Sequence, residues 1–289
     1  MKVATLGNGA GMEIIDADFG PLGRIALKAI FRIPVPIREA VLFGRSRFCL
    51  PLQKLFVRAL GGAYLVQTRF TEGPMCGQRF ACLTSEKYFL LGSHIESDVQ
   101  RVFSVSVKPG DTVYDIGGHA GYTSLLFSAL VGPGGRVFTF EPSPANYERL
   151  CANMDANQKQ NVTIIKAAVS SHTGVAVLKE CGCMSALVSG ADEVSRATSE
   201  VKTITIDDFV SRRRNPAPDF VKLDVEGHAG PVLEGMASVL NSKRPAIICE
   251  LHDPAEDEHV KRILAEARYR VSPIYTHRQF PRHALAAPQ

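Results

Sequence analysis

The sequence predicts an α/β fold with a mostly parallel sheet, helices on both faces, and an extra N-terminal extension. Three observations predict it. From about residue 110, short apolar runs alternate with helical patterns, the signature of βαβ units. The first run, Thr112 to Ile116, opens into the turn Gly117-Gly118-His119-Ala120-Gly121. The second, Arg136 to Phe140, ends on an acidic residue, Glu141.

Taken in order, the Gly turn leads into a helix from Tyr122 to Val131, stopped by Gly132-Pro133-Gly134-Gly135. After Glu141, Ser143 can cap a helix that has Pro144 at its first position and runs to about Asn157. Val162 to Ala168 is a third strand. Residues 172–206 read as an insertion with strand-like Val175–Leu178 and Val201–Ile206. The core resumes with a strand at Phe220–Asp224, a helix at Gly230–Leu240, a strand at Ala246–Leu251, a helix at Pro254–Ala267 and a strand at Tyr269–Ile274. The tail from His277 to Gln289, carrying Pro281 and Pro288, is short for a full final strand pair. The expected division is an N-terminal extension or lid at 1–91 and a cofactor-binding domain at 92–289.

Charge is unevenly spread over the 289 residues. The net +4 is the sum of +7 over residues 21–60 and −3 elsewhere. Within that basic segment Leu22, Ile25, Ala29 and Ile33 recur at helical spacing, and Arg24, Lys28 and Arg32 form a stripe. Pro34 and Pro36 end the pattern. Two readings stand: a lid helix packing its apolar face on the core, and a basic amphipathic contact with a membrane or a lipid-linked substrate. Met1 to Gly11 lacks the apolar stretch of a secretory signal, and no run approaches the ~18 apolar residues of a spanning helix. The seven Cys contain no C-x-x-C pair and read as free thiols. A cytoplasmic protein, at most peripheral at a membrane, is expected.

In open α/β sheets ligands bind outside the carboxyl ends of the strands. There, Gly117, Gly118 and Gly121 let the backbone bend and approach a ligand. The following helix N-terminus offers N–H groups. Glu141 can accept both hydroxyls of a ribose, or act as a carboxylate at the helix start near Ser143. Asp115 can receive an ammonium group or brace the turn. A dinucleotide fold wants G-x-G-x-x-G for its pyrophosphate, but here a negative Asp115 precedes the glycines and would repel it. The set suits the cationic amino-acid end of S-adenosyl-L-methionine.

On the acceptor side, Lys222 and Asp224 share a strand face, and Glu226 and His228 follow. Asp224 is the first choice for general base or substrate orienter, with Glu226 and His228 next. Lys222 reads equally as an ion-pair partner of Asp224 or Glu226, and His228 as a solvent-facing residue at a helix start. Glu250 and His252 close the next strand nearby and, together with Asp224 and Glu226, could bind a divalent cation, but the spacing is not diagnostic and no metal is assigned. The stretch Asp224-Val-Glu-Gly227 has no Pro or aromatic for stacking a base, which argues against nucleic-acid N-methylation.

The run Asp115-Ile-Gly-Gly-His-Ala-Gly-Tyr-Thr-Ser124 resembles the first motif of the FkbM family of methyltransferases. Phe140-Glu-Pro-Ser-Pro144, Asn153 and Asn157, Val221-Lys-Leu-Asp-Val-Glu-Gly-His228, Leu233-Glu-Gly235 and Arg244-Pro245 resemble it too, in the family's order. The resemblance spans roughly residues 92–252. It implies a class I methyltransferase (Rossmann-like) fold, S-adenosyl-L-methionine as cofactor, and O-methylation of a small-molecule or glycan acceptor: a sugar, glycolipid or secondary metabolite. His119, Tyr122, Thr123, Pro142 and Ala168 join the implied cofactor site, and Glu96 resembles an acidic position before the first motif. Two departures stand out: Gly118 where the family often has Ala, and Ala229 where it usually has Glu.

Overall fold

The computed structural model describes residues 11–16, 20–43, 49–63, 65–181, 184–187, 198–274 and 280–289. It forms two compact units, Met1–Ser97 with Asp155–Gln158, and Asp98–Met154 with Lys159–Gln289.

The first unit contains β1 (Met12–Asp16), α1 (Pro21–Phe31), α2 (Val35–Phe43), α3 (Cys49–Ala59), β2 (Leu65–Phe70), β3 (Arg79–Leu83) and α4 (Lys87–Leu91). The three strands make an antiparallel sheet in the order β1-β2-β3. Pro36 does not end a helix. It sits in the first turn of α2, where its missing N–H costs nothing. Arg38, counted above among the basic residues, is fully buried. Its guanidinium lies over the Phe31 ring at 4.9 Å and donates to the Leu90 carbonyl at 2.7 Å. Burial lowers its pKa. The α1 helix turns Gly23 and Leu27 inward, while Leu22 and Ile25 face solvent, so the apolar face read from the sequence is not the packed one.

The second unit holds α5 (Ser97–Ser106), β4 (Thr112–Ile116), α6 (Tyr122–Val131), β5 (Arg136–Phe140), α7 (Pro144–Ala156), β6 (Val162–Ile165), β7 (Ala168–Val169), β8 (Gly174–Cys181), β9 (Met184–Leu187) and β10 (Thr198–Ile204). It continues with α8 (Ile206–Ser211), β11 (Phe220–Leu223), α9 (Ala229–Glu234), α10 (Ala237–Ser242), β12 (Ala246–Leu251), α11 (Pro254–Glu266), β13 (Tyr269–Pro273) and β14 (Arg282–Pro288). Seven strands form the central sheet in the order β13-β14-β12-β11-β4-β5-β6. Neighbours from β12 to β6 are parallel, and β14 is antiparallel to both β12 and β13. The chain winds outward from β4 to β6, then returns to the other side at β11, so the β4/β11 boundary is a topological switch point.

The expected fold class is the one observed, with local differences. The tail does form a full strand. Its prolines bracket the β14 ladder instead of interrupting it, as Pro281 precedes the strand and Pro288 is its last residue. The third strand breaks after Ile165, and Ala168–Val169 join β10 and β8 in a second sheet, β7-β10-β8-β9, built from the inserted segment. The helix expected at 230–240 is two. At Gly235 the backbone passes so close to Ser170 that a Cβ would lie 2.0 Å from the Ser170 carbonyl oxygen. Asp207 then caps α10 by accepting from the Ser238 and Val239 amides.

On one face of the sheet Tyr114, Phe138, Phe140 and Phe209 pack edge-to-face or tilted, with centroids 5.1–5.7 Å apart. On the other, Phe103 of α5 meets Phe127 at 4.8 Å and Phe220 at 5.9 Å. The Arg244-Pro245 motif has a structural reason. Arg244 donates to the Ala267 and Arg268 carbonyls past the end of α11 and lies over the Tyr269 ring. Phe209 alone links three strand aromatics, so Phe209→Ala is expected to cost about 3–5 kcal/mol in urea denaturation.

Candidate active site

The carboxyl ends of β4, β5, β11 and β12 carry the polar residues singled out in the sequence. Lys222 is the residue around which they gather. It stands opposite Asp115 in the parallel β11/β4 ladder. Buried, its ammonium donates to the Gly117 carbonyl at 3.0 Å and lies 3.1 Å from Asp224 Oδ2 and 3.6 Å from Asp115 Oδ1. The ion-pair reading of Lys222 is therefore realised, with two carboxylates.

Asp115 is fully buried. Its Oδ2 accepts from Thr123 Oγ1 at 2.8 Å and Ser124 Oγ at 2.7 Å, which ties the strand tip to the first turn of α6. This is the bracing arrangement. Gly117 has φ +86°, and a Cβ there would lie 1.8 Å from the Asp224 carbonyl oxygen. The turn can lie against the end of β11 only because that atom is missing. A Cβ on Gly118 would meet Thr139 Cγ2 at 2.2 Å, so the Ala common in the family does not fit this packing unaltered. Gly121, at φ +90°, sits under Leu150 and Met154 of α7. Asn153 Nδ2 holds the Ala120 carbonyl at 2.8 Å.

Glu141 is buried at the end of β5. Its Oε2 accepts from the His119 amide at 2.8 Å and its Oε1 from the Ser143 amide at 2.9 Å. It fastens the Gly turn to the start of α7, and each oxygen retains acceptor capacity. Burial pushes its carboxyl up to about 6 against the opposing pull of the two amides and Lys222. His119 takes a left-handed φ of 49°. Thr123 points to Asp115, whereas Tyr122 is buried and its hydroxyl accepts from Gln100 at 3.0 Å. Pro142 is partly exposed beside Glu141, and Ala168 is buried in the second sheet, paired with Thr203. Glu96 belongs to the first unit, in the turn before α5, with φ 48°.

At the exit of β11, burial pushes the Asp224 carboxyl up, but the Lys222 ammonium beside it brings it well below the usual aspartate range. Glu226 takes a left-handed φ of 49°, and its carboxylate meets His252 Nε2 at 3.1 Å. The His252 amide donates to Glu256 at 2.8 Å. Burial disfavours the imidazolium, yet Glu226 and Glu256 outweigh it and raise His252 to about 10, so this ring is cationic at neutral pH. Ligand-type atoms of Asp224, Glu226 and His252 lie within 4.8 Å of one another. His228 points elsewhere: its Nε2 meets Ser170 Oγ at 3.0 Å, and burial lowers its pKa.

Glu256 and His283 have no place in the sequence reading, and Ser124 stands there only as the end of the first motif. His283 lies 3.9 Å from Glu250 on the strand the tail was not expected to form. The one available signal for Glu256 was its i+4 spacing from His252, with Asp253 capping the same helix.

A doubly wound sheet with these carboxylates and this Gly turn at its switch point has the build of a class I methyltransferase. The family profile of the methyltransferase FkbM domain matches residues 115–271. The chain belongs to the FkbM methyltransferase family, and it is a methyltransferase. It is similar to the hexuronic acid methyltransferase AglP of Haloferax volcanii, at 32% identity over 60% of this chain and 69% of that protein. It is also similar to the 31-O-demethyl-FK506 methyltransferase FkbM of Streptomyces tacrolimicus, at 26% identity over 52% of this chain and 68% of that one. Among solved structures, methyltransferase FkbM from Methylobacillus flagellatus aligns with a TM-score of 0.46 and 16% identity, covering 71% of this chain and 54% of that one.

Removing the buried cation leaves two carboxylates uncompensated. Lys222→Met is expected to cost about 3–5 kcal/mol at neutral pH in urea denaturation. Asp224 has a depressed folded pKa, so its stabilising contribution is present above the ordinary aspartate value of 3.8 and is lost as pH falls below it. The gap between wild type and Lys222→Met should therefore narrow on acidification, and a gap independent of pH would contradict this assignment.

Proposed function

We propose that this methyltransferase uses S-adenosyl-L-methionine and methylates a hydroxyl of a sugar, glycolipid or secondary metabolite. The observation that carries this reading is the grouping of Asp224, Glu226 and His252 beside the Gly117 turn, joined to it through Lys222. Hydrogen-bonding groups of this kind suit a hydroxylated acceptor. The names of the two relatives, one for a hexuronic acid and one for a 31-O-demethyl compound, support a sugar or an O-methyl acceptor. Residues 92–289 are assigned as the methyltransferase domain and 1–91 as an accessory extension.

The cofactor supplies an activated methyl group, and the chain supplies orientation and a base. Glu141, with acceptor capacity left on both oxygens, is suited to ribose hydroxyls. The main chain of Gly117 to Gly121 is suited to close approach of the cofactor, because the packing at Gly117 and Gly118 leaves no room for side chains. Asp115 stays behind the turn as its brace. Asp224, held ionised by Lys222, is a weak base and a strong hydrogen-bond acceptor, so it orients the acceptor hydroxyl. Glu226 beside it is the next carboxylate placed to take the proton, with His252 3.1 Å away.

Calorimetry with S-adenosylhomocysteine tests the cofactor assignment. Binding is expected, and its absence from the intact protein would refute the assignment. Glu141→Ala should weaken binding strongly. Because Glu141 ionises only above about 6, wild-type affinity should fall as pH drops through that value while Glu141→Gln stays flat. Asp224→Ala should keep cofactor affinity within about twofold and lose turnover on a panel of hydroxylated acceptors with labelled cofactor. Retained turnover would remove Asp224 from the acceptor site.

A further inference from the structure

The first unit carries an exposed surface outside the site described above. Of the large hydrophobic side chains exposed among the described residues, five lie between residues 21 and 60: Leu22, Ile25, Ile37, Leu52 and Leu55. Two helices repeat one pattern of apolar, apolar and cationic residues at i, i+3 and i+6. On α1 it is Leu22, Ile25 and Lys28, and on α3 it is Leu52, Leu55 and Arg58. Residues three apart on a helix are neighbours on one face, so each triplet forms a stripe.

Both stripes face away from the packed sides of their helices. On α1 the buried residues are Gly23 and Leu27, while Leu22 and Ile25 are 75% and 65% exposed. On α3 Phe56 is buried, with Leu60 just beyond the helix, while Leu52 and Leu55 are 42% and 64% exposed. The two helices pack against each other within the unit. Exposed Lys28 and Arg32 extend the α1 stripe, and exposed Lys54 and Arg58 flank the α3 stripe. Arg38, the one described cation of the segment that is buried, takes no part. Glu39 is the only acidic residue in 21–60.

Exposed apolar side chains grouped on a helix face, as on α1 and again on α3, exceed the scattered single residues of ordinary surfaces and point to an interaction site. The charge decides the partner. Apolar side chains that dip below the headgroups, ringed by Lys and Arg that meet anionic headgroups, match the interface of an acidic lipid leaflet. A second copy of the same cationic face would repel it. We infer that the outward faces of α1 and α3 dock this protein on the surface of an anionic membrane, as a peripheral contact with no spanning helix. Among the described residues no helix is long and apolar enough to cross a bilayer.

Flotation of the full chain with phosphatidylcholine vesicles, with and without phosphatidylglycerol, tests this independently of methyl transfer. Binding to the anionic vesicles and little to the neutral ones is expected. The paired reversals K28E/R32E and K54E/R58E should each lower partitioning about tenfold or more, given about 1 kcal/mol per basic residue at such surfaces. L22S/I25S, at exposed positions that leave the packed face intact, should lower it as well. No partitioning onto anionic vesicles, equal partitioning onto neutral ones, or partitioning untouched by all three variants would overturn the inference. So would light scattering that shows a dimer dispersed by L22S/I25S.

Discussion

The ammonium of Lys222, buried at the switch point of the sheet, is the constraint on which the site depends. Taking a charge out of water costs several kcal/mol unless acceptors surround it. Here Asp115 faces it across the β11/β4 ladder, Asp224 follows it two residues along the same face, and the Gly117 carbonyl turns toward it. One cation thus joins the first strand, the Gly turn and the exit of the fourth parallel strand. A displacement of any of these leaves a carboxylate or the ammonium unpaired in a poorly polarisable place, which costs more than a lost surface contact. The Gly turn and the Asp224 carboxylate are held in one geometry for this reason.

The surrounding packing makes that geometry accessible. Gly117 abuts the Asp224 carbonyl, and Gly118 fits against Thr139 and Leu150. Both contacts need the absence of a Cβ, and both bring elements distant in sequence to van der Waals range. Glu141 completes the frame from the other side by taking the His119 and Ser143 amides. It is a structural brace before any ligand arrives, and the same two oxygens are the ones proposed to meet the ribose. The two readings of this residue left open by the sequence are compatible, because a carboxylate has more acceptor positions than two amides fill.

How far the sequence sufficed depends on whether a feature is local. β4, α6, β5 and β12 were legible to the residue or nearly so, because periodicity, a Gly turn and a capping residue are all local signals. The tail was misjudged because its two prolines look like breakers until one sees that they flank the ladder that β12 and β13 supply. The split between α9 and α10 falls at Gly235, where the Ser170 backbone packs so close that a Cβ would not fit, a contact invisible along the chain. The same holds on α1. Its hydrophobic spacing is genuine, but Leu27 and Gly23 won the packed side, leaving Leu22 and Ile25 outside. In the site, Asp115, the glycines, Glu141, Lys222 and Asp224 followed from strand ends. The nearness of His252 to Glu226 followed from adjacent strand ends as well, whereas the Ser170 partner of His228 did not, since it reaches that ring only through tertiary packing.

The two halves of the site differ in how they are held, and this bears on the chemistry proposed for them. The side proposed for the cofactor is fixed by backbone amides and by glycines packed close to their neighbours, Gly117 against the Asp224 backbone. The side proposed for the acceptor is fixed by ion pairs between side chains: Lys222 with Asp224, and His252 with Glu226 and Glu256. Side-chain pairs can exchange partners when a hydroxylated ligand offers better ones, whereas a backbone brace cannot. Glu226 adds a further element, since a non-glycine residue at a left-handed φ of 49° is strained and is kept there by its surroundings. Its carboxylate is placed by that turn and by the His252 cation together. On the proposed assignment, a donor seat fixed by backbone contacts stands beside an acceptor rim built from paired charged side chains.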